Sequence, residues 1–425
     1  MFFYSTRDKN NQKTVSQAIL QGLAEDGGLF VPEYFPQIDI SSLDSSLTYP
    51  EFAAKILADY FKGDQLESQL PEICKNAFNF PLPVKKLNSN THIMELFHGP
   101  TLSFKDFGAR FLAECMSRLS KERKTTIIVA TSGDTGSAVA GAFYQKPNIE
   151  VVVMFPKGQI SKRQEQQITC WGENILSVAV NGTFDDCQKI VKQSFSDRWF
   201  TDRAHLSSAN SINIARLLPQ LTYYAYTSWQ FFLKHGEKAG YIIPTGNVGN
   251  STAAFWAKAM GFPIREIALA TNANRVISDY IENGKFEPRQ SVATIANAMD
   301  VGNPSNFERL SYLYNTLDLF KANVKAFSVS DEEIRSIVTE VNQQFDYVVC
   351  PHTATGYFAR KKLDDKQWII AATADPCKFE TILEPIVNKI LPIAPQLQEL
   401  LNKPAKLVEV DADIRQVAAA LENHN

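Results

Sequence analysis

Three short segments of the chain combine residue types that could bind an anionic small molecule and react with it. One is the run from His98 to Phe107 (HGPTLSFKDF), in which Lys105 stands between aromatic residues. The others are glycine-rich turns, Thr131–Gly136 (TSGDTG) and Thr245–Asn250 (TGNVGN). A partly buried lysine has a lowered pKa and can attack an aldehyde as an uncharged amine. The segments therefore indicate amine chemistry, although for any single lysine a solvated helix start is the commoner interpretation.

The turn Thr245–Asn250 has the composition of a phosphate loop. It lies between an apolar run typical of a buried strand, Ala239–Pro244, and a helical stretch, Ser251–Met260. Such a turn exposes backbone N–H groups, and the helix N-terminus adds the positive end of its dipole, so a phosphate can bind there without any lysine. Gly246 and Gly249 permit close backbone approach. A tight strand–helix turn that binds nothing remains the alternative, because glycine- and asparagine-rich turns are common.

The turn Thr131–Gly136 follows the β-branched run Thr125–Ala130 and precedes a helical stretch, Ser137–Tyr144. Loops at the carboxyl ends of parallel strands are where α/β folds bind ligands. The hydroxyl and N–H groups of Thr131–Gly136 are suited to binding a carboxylate. A basic loop, Lys157–Arg163, follows the predicted strand Ile149–Phe155 and could clamp a phosphate, with arginine binding in bidentate fashion. A solvated surface loop explains that composition nearly as well.

The elements that must position these segments alternate between strand and helix, which predicts an α/β fold with open parallel sheets. Further along, Val324–Val329 is typical of a strand, and Ser330 with Glu333 forms a capping box that opens a helix to about Phe345. Short strands are predicted at Tyr347–Cys350 and Trp368–Ala372. Residues 1–84 are predicted to be mostly helical, with helices around Val15–Leu23, Glu51–Phe61 and Leu66–Asn76.

Composition narrows the function classes. The formal net charge is −3 without a basic stripe, which argues against nucleic acid as a partner. The N-terminal residues lack a signal-peptide pattern, and no apolar run approaches the roughly 20 residues of a membrane span. The six cysteines form no Cys-x-x-Cys pair and have no metal-ligand spacing with the six histidines. We therefore expect a cytoplasmic protein with reduced thiols, no metal and no membrane partner.

Five segments, in chain order, resemble the threonine synthases. The run around Lys105 is similar to the segment with which that family holds pyridoxal 5′-phosphate (PLP). Thr131–Gly136 resembles its substrate-carboxylate loop, and Thr245–Asn250 its PLP-phosphate loop. Gly22–Glu33 and Asn297–Arg309 are similar to hallmarks of the long bacterial and fungal class. The similarity covers nearly the whole chain.

The resemblance implies the type II PLP fold, the architecture of the tryptophan synthase β-subunit. That fold has two open α/β sheet domains with the cofactor in the cleft between them, and the long class adds a mostly helical N-terminal segment. We assign residues 1–84 to this segment. Residues 85–205 are assigned to a small α/β domain with the PLP lysine and the carboxylate loop. Residues 206–425 are assigned to a large α/β domain with the PLP-phosphate loop and C-terminal helices, in a monomer or homodimer.

The reaction that the resemblance implies converts O-phospho-L-homoserine and water to L-threonine and phosphate, by γ-elimination and β-hydration. This carbon–oxygen lyase reaction is the last step of threonine biosynthesis. A related phospho-lyase, which releases a 2-oxo acid, ammonia and phosphate, remains the alternative because the same lysine and loops serve both. A non-catalytic paralogue is a second alternative, and the intact Lys105 and phosphate loop argue against it.

The resemblance also implies roles for individual residues. Lys105 is expected to hold PLP as a Schiff base and to carry most proton transfers, and Thr373 to face the pyridine nitrogen. Asp134 stands where many type II relatives have asparagine. The predicted cofactor-binding residues are Lys105, Gly246, Asn247, Val248, Gly249, Asn250 and Thr373. The predicted substrate-binding residues are Ser132, Gly133, Asp134, Thr135, Ser161, Arg163, Asn213 and Arg216.

Overall fold

The computed structural model describes residues 1–120 and 124–424. Within these residues the strands form a two-stranded, a five-stranded and a six-stranded sheet. The strands, in chain order, are β1 (Phe3–Ser5), β2 (Phe30–Pro32), β3 (Val84–Lys86), β4 (Thr91–Glu95), β5 (Thr125–Ala130), β6 (Ile149–Pro156), β7 (Ile175–Asn181), β8 (His205–Ser207), β9 (Ala239–Pro244), β10 (Ile264–Thr271), β11 (Val324–Ser328), β12 (Trp368–Ala372) and β13 (Val408–Asp411).

Helices cover both large sheets, and the first three described helices lie in the N-terminal segment. In chain order they are α1 (Val15–Gln21), α2 (Tyr49–Phe61), α3 (Leu70–Ala77), α4 (Lys105–Leu119), α5 (Asp134–Phe143), α6 (Lys162–Thr169), α7 (Phe184–Ser194), α8 (Arg198–Arg203), α9 (Ile214–His235), α10 (Gly249–Ala259), α11 (Val276–Asn283), α12 (Phe307–Leu313), α13 (Leu317–Asn323), α14 (Asp331–Phe345), α15 (Pro351–Arg360), α16 (Glu380–Val387), α17 (Pro395–Leu401) and α18 (Ile414–His424). Of these described helices, none has the length and apolar character needed to cross a membrane.

The two large sheets are open and almost entirely parallel, which confirms the predicted α/β class. The six-stranded sheet has the order β11-β10-β9-β12-β4-β3, and only β3 is antiparallel to its neighbour. The five-stranded sheet has the order β13-β7-β6-β5-β8, and each of its pairs is parallel. β5 and β6 are buried along their whole length, as expected for strands with helices on both faces.

Membership of the sheets differs from the predicted division of the chain. β4 precedes Lys105 but pairs with β12 in the six-stranded sheet. β13 comes from the far end of the chain and completes the edge of the five-stranded sheet beside β7. Sequence order carries no information about which sheet such a crossing strand joins, so boundaries drawn at residues 84 and 205 do not follow the sheets.

Most local predictions agree with the structure, but one strand is wrong. Strands at Thr125–Ala130 and Trp368–Ala372 have the predicted bounds. Tyr347–Cys350 is not a strand. The Tyr347 hydroxyl donates to Glu95 Oε1 at 2.8 Å, and Cys350 caps the N-terminus of α15. Side-chain contacts, rather than a sheet ladder, therefore hold this apolar run.

The N-terminal segment packs against the long helix α9 through aromatic side chains of α2. The rings of Phe52 and Trp229 stack with centroids 5.3 Å apart, and Tyr49 contacts Tyr226 at the same centroid distance. These side chains are mostly or wholly buried, and each such ring removes a large apolar surface from water. The N-terminal segment thus fixes the position of α9, whose first turn faces the candidate site.

Candidate active site

Lys105 begins α4 at the point where the carboxyl ends of two neighbouring strands meet. The loop from β4 to Lys105 lies along the end of β12, because the Phe104 N–H donates to the carbonyl of Thr373 at 2.8 Å. The Asp375 N–H donates back to the carbonyl of Leu102 at 3.1 Å. These two backbone hydrogen bonds hold the segment that leads into Lys105 next to Thr373, as their predicted shared site requires.

The Lys105 side chain is held almost entirely away from water. Only 12% of it is exposed, and its Nζ lies 3.8 Å from Asp134 Oδ2 and 5.1 Å from the centroid of the Phe104 ring. Burial lowers the pKa of Lys105 to about 8, while the negative charge of Asp134 acts in the opposite direction. Near neutral pH a much larger fraction of this amine is therefore uncharged than in a solvated lysine, and the uncharged form is the one that acts as a nucleophile or base.

A second buried lysine, which the sequence analysis did not identify, shares Asp134. Lys378 is fully buried, and its Nζ lies 2.8 Å from Asp134 Oδ1 and donates to the carbonyl of Thr101 at 2.7 Å. Gln164 Nε2 donates to the same Oδ1 at 2.9 Å. Burial alone would raise the pKa of Asp134, but the cations Lys378 and Lys105 hold it well below its ordinary value. Asp134 is thus ionised, and its two carboxylate oxygens face the amino groups of Lys378 and Lys105.

The turn before α10 has the geometry predicted for a phosphate loop. Val248 takes the left-handed conformation with φ +63° and places the N-terminus of α10 at the end of β9. The first-turn N–H groups of a helix have no intrahelical partner. Asn250 Oδ1 accepts bonds from the hydroxyls of Tyr223 and Tyr224, but its buried Nδ2 has no partner within residues 1–120 and 124–424. The loop therefore offers donors that need an external acceptor.

Two asparagines join this loop to the segment Asn297–Arg309. Asn247 Oδ1 accepts from the Ser305 N–H at 2.7 Å, and the Asn306 N–H donates to the carbonyl of Asn247 at 3.2 Å. Gly246 is packed against the same segment: a Cβ built on it would lie 2.7 Å from Met299 Cα. The two backbone segments are so close at Gly246 that a side chain has no room there.

We expect Gly246→Ala to weaken PLP binding by about tenfold or more, because overpacking against backbone typically costs about 1–3 kcal/mol. Fluorescence titration of the apoenzyme with PLP measures the dissociation constant. Gly249→Ala is the matched control in the same loop. Its new Cβ would meet the Asn306 side-chain amide at 3.2 Å, a looser contact than the 2.7 Å to backbone at Gly246. A larger loss for Gly249→Ala than for Gly246→Ala would contradict the steric argument.

The loop after β5 is shaped by Thr131 and Gly133. Thr131 Oγ1 accepts from the N–H groups of Gly133 and Gly136 at 3.0 and 2.8 Å. Gly133 has φ +129°, and a Cβ there would lie 2.6 Å from Gln164 Nε2. Ser132 and Thr135 are the half-exposed residues of this loop, whereas Asp134 is buried beside the lysines. Because an ionised Asp134 adds no attraction for a carboxylate, the predicted carboxylate role falls to the hydroxyl and N–H groups.

The predicted phosphate-clamp residues hold another part of the protein. Ser161 caps α6 and donates to the carbonyl of Lys378 at 3.0 Å, and Arg163 Nη1 donates to the carbonyl of Cys377 at 2.5 Å. Arg163 also lies 3.8 Å from carboxylate oxygens of Glu380 and Glu384. Both residues thus fasten the short 3₁₀ turn that carries Lys378, a task that the sequence did not suggest.

Asn213 and Arg216, the two predicted substrate-binding residues near the start of α9, differ in whether their side-chain donors are all hydrogen-bonded. Asn213 Nδ2 donates to the carbonyls of Ile19 and Ser208 at 2.9 and 3.3 Å, and Oδ1 caps α9, so its side chain is fully used. Arg216 is buried and donates through Nη1 to the carbonyl of Ala209. Its Nε has no hydrogen-bond partner among the described residues, and burial is the main cause that lowers the pKa of Arg216 to about 10. Arg216 is thus a buried cation with a free donor.

His352, in the first turn of α15, is a further residue that the sequence analysis missed. Its Nε2 accepts the Ala298 N–H at 3.1 Å, and its ring packs 5.1 Å from that of Phe379. Burial lowers the pKa of His352 to about 4, so the ring is neutral and Nδ1 carries the proton. A histidine within a helical pattern gives no local indication of such a contact.

Comparison with known proteins identifies matching families along nearly the whole chain. A family model described as "Pyridoxal-phosphate dependent enzyme" matches residues 79–372, and one described as "Threonine synthase N terminus" matches residues 2–78. The chain is 39% identical to a threonine synthase of Haemophilus influenzae over 99% of each chain. It is 37% identical to that of Escherichia coli, with both chains covered completely.

Solved structures give the same result. The crystal structure of threonine synthase from Escherichia coli superposes with a TM-score of 0.91 at 36% identity and covers all of both chains. The structure of a PLP-bound threonine synthase from Brucella melitensis superposes with a TM-score of 0.94 at 30% identity, covering 100% of this chain and 99% of that one. Similarity in sequence and in backbone therefore extends over both sheets and the N-terminal segment.

Proposed function

The chain belongs to the threonine synthase family of PLP-dependent enzymes, and we propose that it converts O-phospho-L-homoserine and water to L-threonine and phosphate in the cytoplasm. The observation that carries the proposal is the environment of Lys105. A buried amine of lowered pKa stands beside Asp134 of the loop suited to carboxylate, and the loop suited to phosphate follows β9, which neighbours β12 in the same sheet as β4. The substrate and the cofactor together need these features.

The residues present fit PLP. Asn250 Nδ2 is a buried donor without an acceptor, and the first turn of α10 adds N–H groups for the cofactor phosphate. Thr373 Oγ1 is buried and has no hydrogen-bond partner among the described residues. In this proposal Gly246–Asn250 would hold the phosphate, Thr373 would lie on the side of the ring nitrogen, and Lys105 would bind the aldehyde carbon. The bound cofactor supplies an electron sink for negative charge at substrate carbon.

Proton transfers fall to Lys105 Nζ. Once the substrate amine has replaced it, Lys105 is an uncharged base that can remove a proton from the substrate Cα. The ammonium that forms stands 3.8 Å from Asp134 Oδ2, whose negative charge stabilises it. A second proton would have to leave Cβ so that its electron pair can expel the phosphate from Cγ. Lys105 would then return a proton to Cγ before water adds at Cβ. The half-exposed Ser132 and Thr135 hold the substrate carboxylate in this scheme, next to the Gly133 turn.

Arg216 is the cation that we expect to bind the substrate phosphate. Burial lowers its pKa only to about 10, so it stays charged, and its Nε is free. Arg216→Met should raise KM for O-phospho-L-homoserine by about tenfold or more, since hydrogen bonds to charged groups contribute roughly 1.5–3 kcal/mol. Steady-state kinetics and inhibition by inorganic phosphate measure this. Arg163→Met is the comparison: a larger rise in KM there would favour the clamp predicted from the sequence.

Product analysis tests the function itself. The purified protein is incubated with PLP and O-phospho-L-homoserine, and amino acids, 2-oxo acids and phosphate are quantified together. Threonine and phosphate in equal amounts are expected. Formation of a 2-oxo acid and ammonia without threonine would instead favour the phospho-lyase. The cytoplasmic location and the monomer or homodimer remain part of the proposal, and size-exclusion chromatography with light scattering measures the latter.

A further inference from the structure

A buried carboxylate stands between two lysines that come from different parts of the fold. Asp134 Oδ1 lies 2.8 Å from Lys378 Nζ, and its Oδ2 lies 3.8 Å from Lys105 Nζ. Asp134 is 3% exposed and Lys378 is fully buried. Two ammonium groups facing one carboxylate leave a net positive charge in the interior, which is costly. One of the two lysines must therefore lose its proton more easily than a solvated lysine does.

The hydrogen bonds decide which lysine that is. Lys378 Nζ bonds the Asp134 carboxylate at 2.8 Å and the Thr101 carbonyl at 2.7 Å, and both groups are acceptors that favour an ammonium. Lys105 Nζ is too far from Asp134 for a hydrogen bond, and it packs beside the ring of Phe104. Because the proton is better stabilised on Lys378, the uncharged amine of this pair is Lys105.

Side chains of three residues bond the backbone of the turn that carries Lys378. The backbone therefore fixes Lys378 closer to Asp134 than Lys105 is. Ser161 donates to the carbonyl of Lys378 at 3.0 Å, and Arg163 donates to the carbonyl of Cys377 at 2.5 Å. Asp375 Oδ1 accepts the Cys377 N–H at 2.8 Å and caps the turn. Lys378 is thereby held on the Oδ1 side of Asp134, away from Lys105.

We propose that Lys378 is a positioning residue for the reaction: by pairing closely with Asp134, it favours the uncharged form of Lys105, which capture of the cofactor and proton transfer require. The proposal rests on the role proposed above for Lys105. Capture of the cofactor would use the Nζ lone pair of Lys105 to bond the aldehyde carbon, and the two amine protons would leave with the aldehyde oxygen as water. An ammonium group has no lone pair, so capture needs the uncharged form.

The charges around Lys105 agree with this assignment. Burial is the main cause that lowers its pKa to about 8, Lys378 and Arg216 lower it further, and Asp134 and Cys350 raise it. His352 also faces the cluster, but burial lowers its pKa to about 4 and keeps it neutral. The titratable and charged groups that face Lys105 are therefore Asp134 of α5, Lys378 of the 376–379 turn, Arg216 of α9, Cys350 before α15 and His352 of α15.

The test measures the titration of Lys105 directly in the full-length apoenzyme. Protein freed of PLP is labelled with a trace of acetic anhydride over a range of pH, and mass spectrometry quantifies acetylation of the peptide that contains Lys105. Lys378→Met should raise the midpoint of this titration by about one pH unit or more, because it removes a neighbouring cation. Asp134→Asn should lower the midpoint, because it removes the anion. Lys378→Arg should keep the midpoint near that of the parent.

A raised titration midpoint in Lys378→Met together with a lowered midpoint in Asp134→Asn supports the proposal. If the pair had a purely structural role, the two substitutions would not shift the midpoint of Lys105 in opposite directions. An unchanged or lowered midpoint in Lys378→Met overturns it. If Lys378→Met does not fold, Asp134→Asn decides, and an unchanged or raised midpoint there overturns it. Lys361→Met is the matched control, since Lys361 is exposed and pairs with Glu340 at 2.6 Å. Labelling needs no turnover, so its result stands apart from the test of threonine formation.

Discussion

Replacing Lys105 with alanine is expected to lower the rate of threonine formation by about four orders of magnitude or more, since one side chain supplies both covalent capture and general base catalysis. The amine that would hold the aldehyde carbon is lost together with the group that moves protons at Cα and Cγ. Steady-state kinetics give the loss in kcat. The visible absorbance of the protein after addition of PLP should change to that of the free aldehyde, because Lys378, the other lysine of the site, is held by Asp134 and the Thr101 carbonyl.

The Lys105→Ala protein should still fold. Asp134 keeps its closer partner, Lys378, and the bond from Gln164 remains, so no buried charge is left without a counter-charge. Thermal unfolding should accordingly show a midpoint near that of the parent. Lys361→Ala, at an exposed position, controls for loss of a lysine in general. Turnover that persists at a substantial fraction of the parent rate would contradict the role assigned to Lys105.

Arg309→Met is expected to reduce the free energy of unfolding by about 3–5 kcal/mol, the usual cost of breaking a buried charged network. Arg309 is fully buried in α12, and burial lowers its pKa to about 9. Its guanidinium donates to the carbonyls of Phe30 and Ile212 at 3.0 and 2.7 Å and to Asn306 Oδ1 at 2.7 Å. The substitution leaves these acceptors buried without donors.

Because Asn306 also contacts the phosphate loop, Arg309→Met should weaken PLP binding as well as stability. Urea unfolding of the apoenzyme gives the first effect, and titration with PLP gives the second. Arg335→Met is the matched control, since Arg335 is exposed on α14 and such surface changes stay within about 0.5 kcal/mol. Equal stability of the two variants would show that the buried network contributes little.

Elements governed by local residue patterns could be predicted from the sequence. The capping box of Ser330 and Glu333 places α14 at Asp331–Phe345, and the β-branched run at Thr125–Ala130 is a strand with those bounds. The loops at the carboxyl ends of β5 and β9 have the predicted positions too. In each case a few neighbouring residues determine where the element lies, and the tertiary fold only buries it.

What the sequence could not show depends on contacts between distant segments. Lys378 follows a proline and a cysteine with no motif, and only the packing of its turn on α6 brings it to Asp134. Ser161 and Arg163 had the composition of an anion clamp, yet carbonyl groups of that turn occupy them. The Tyr347–Cys350 run had the apolar character of a strand, but a hydroxyl–carboxylate bond to Glu95 holds it instead.

The strand order of the five-stranded sheet also determines when that sheet can be finished as the chain is synthesised. β7 ends at Asn181, but its outer neighbour β13 starts at Val408, and all of β9 to β12 are made in between. Until then β7 is an edge strand with unpaired N–H and carbonyl groups, the kind of edge that pairs with other chains. Chains emerge N-terminus first, so a nascent chain depends on helices or on chaperones to cover this edge until synthesis is almost complete.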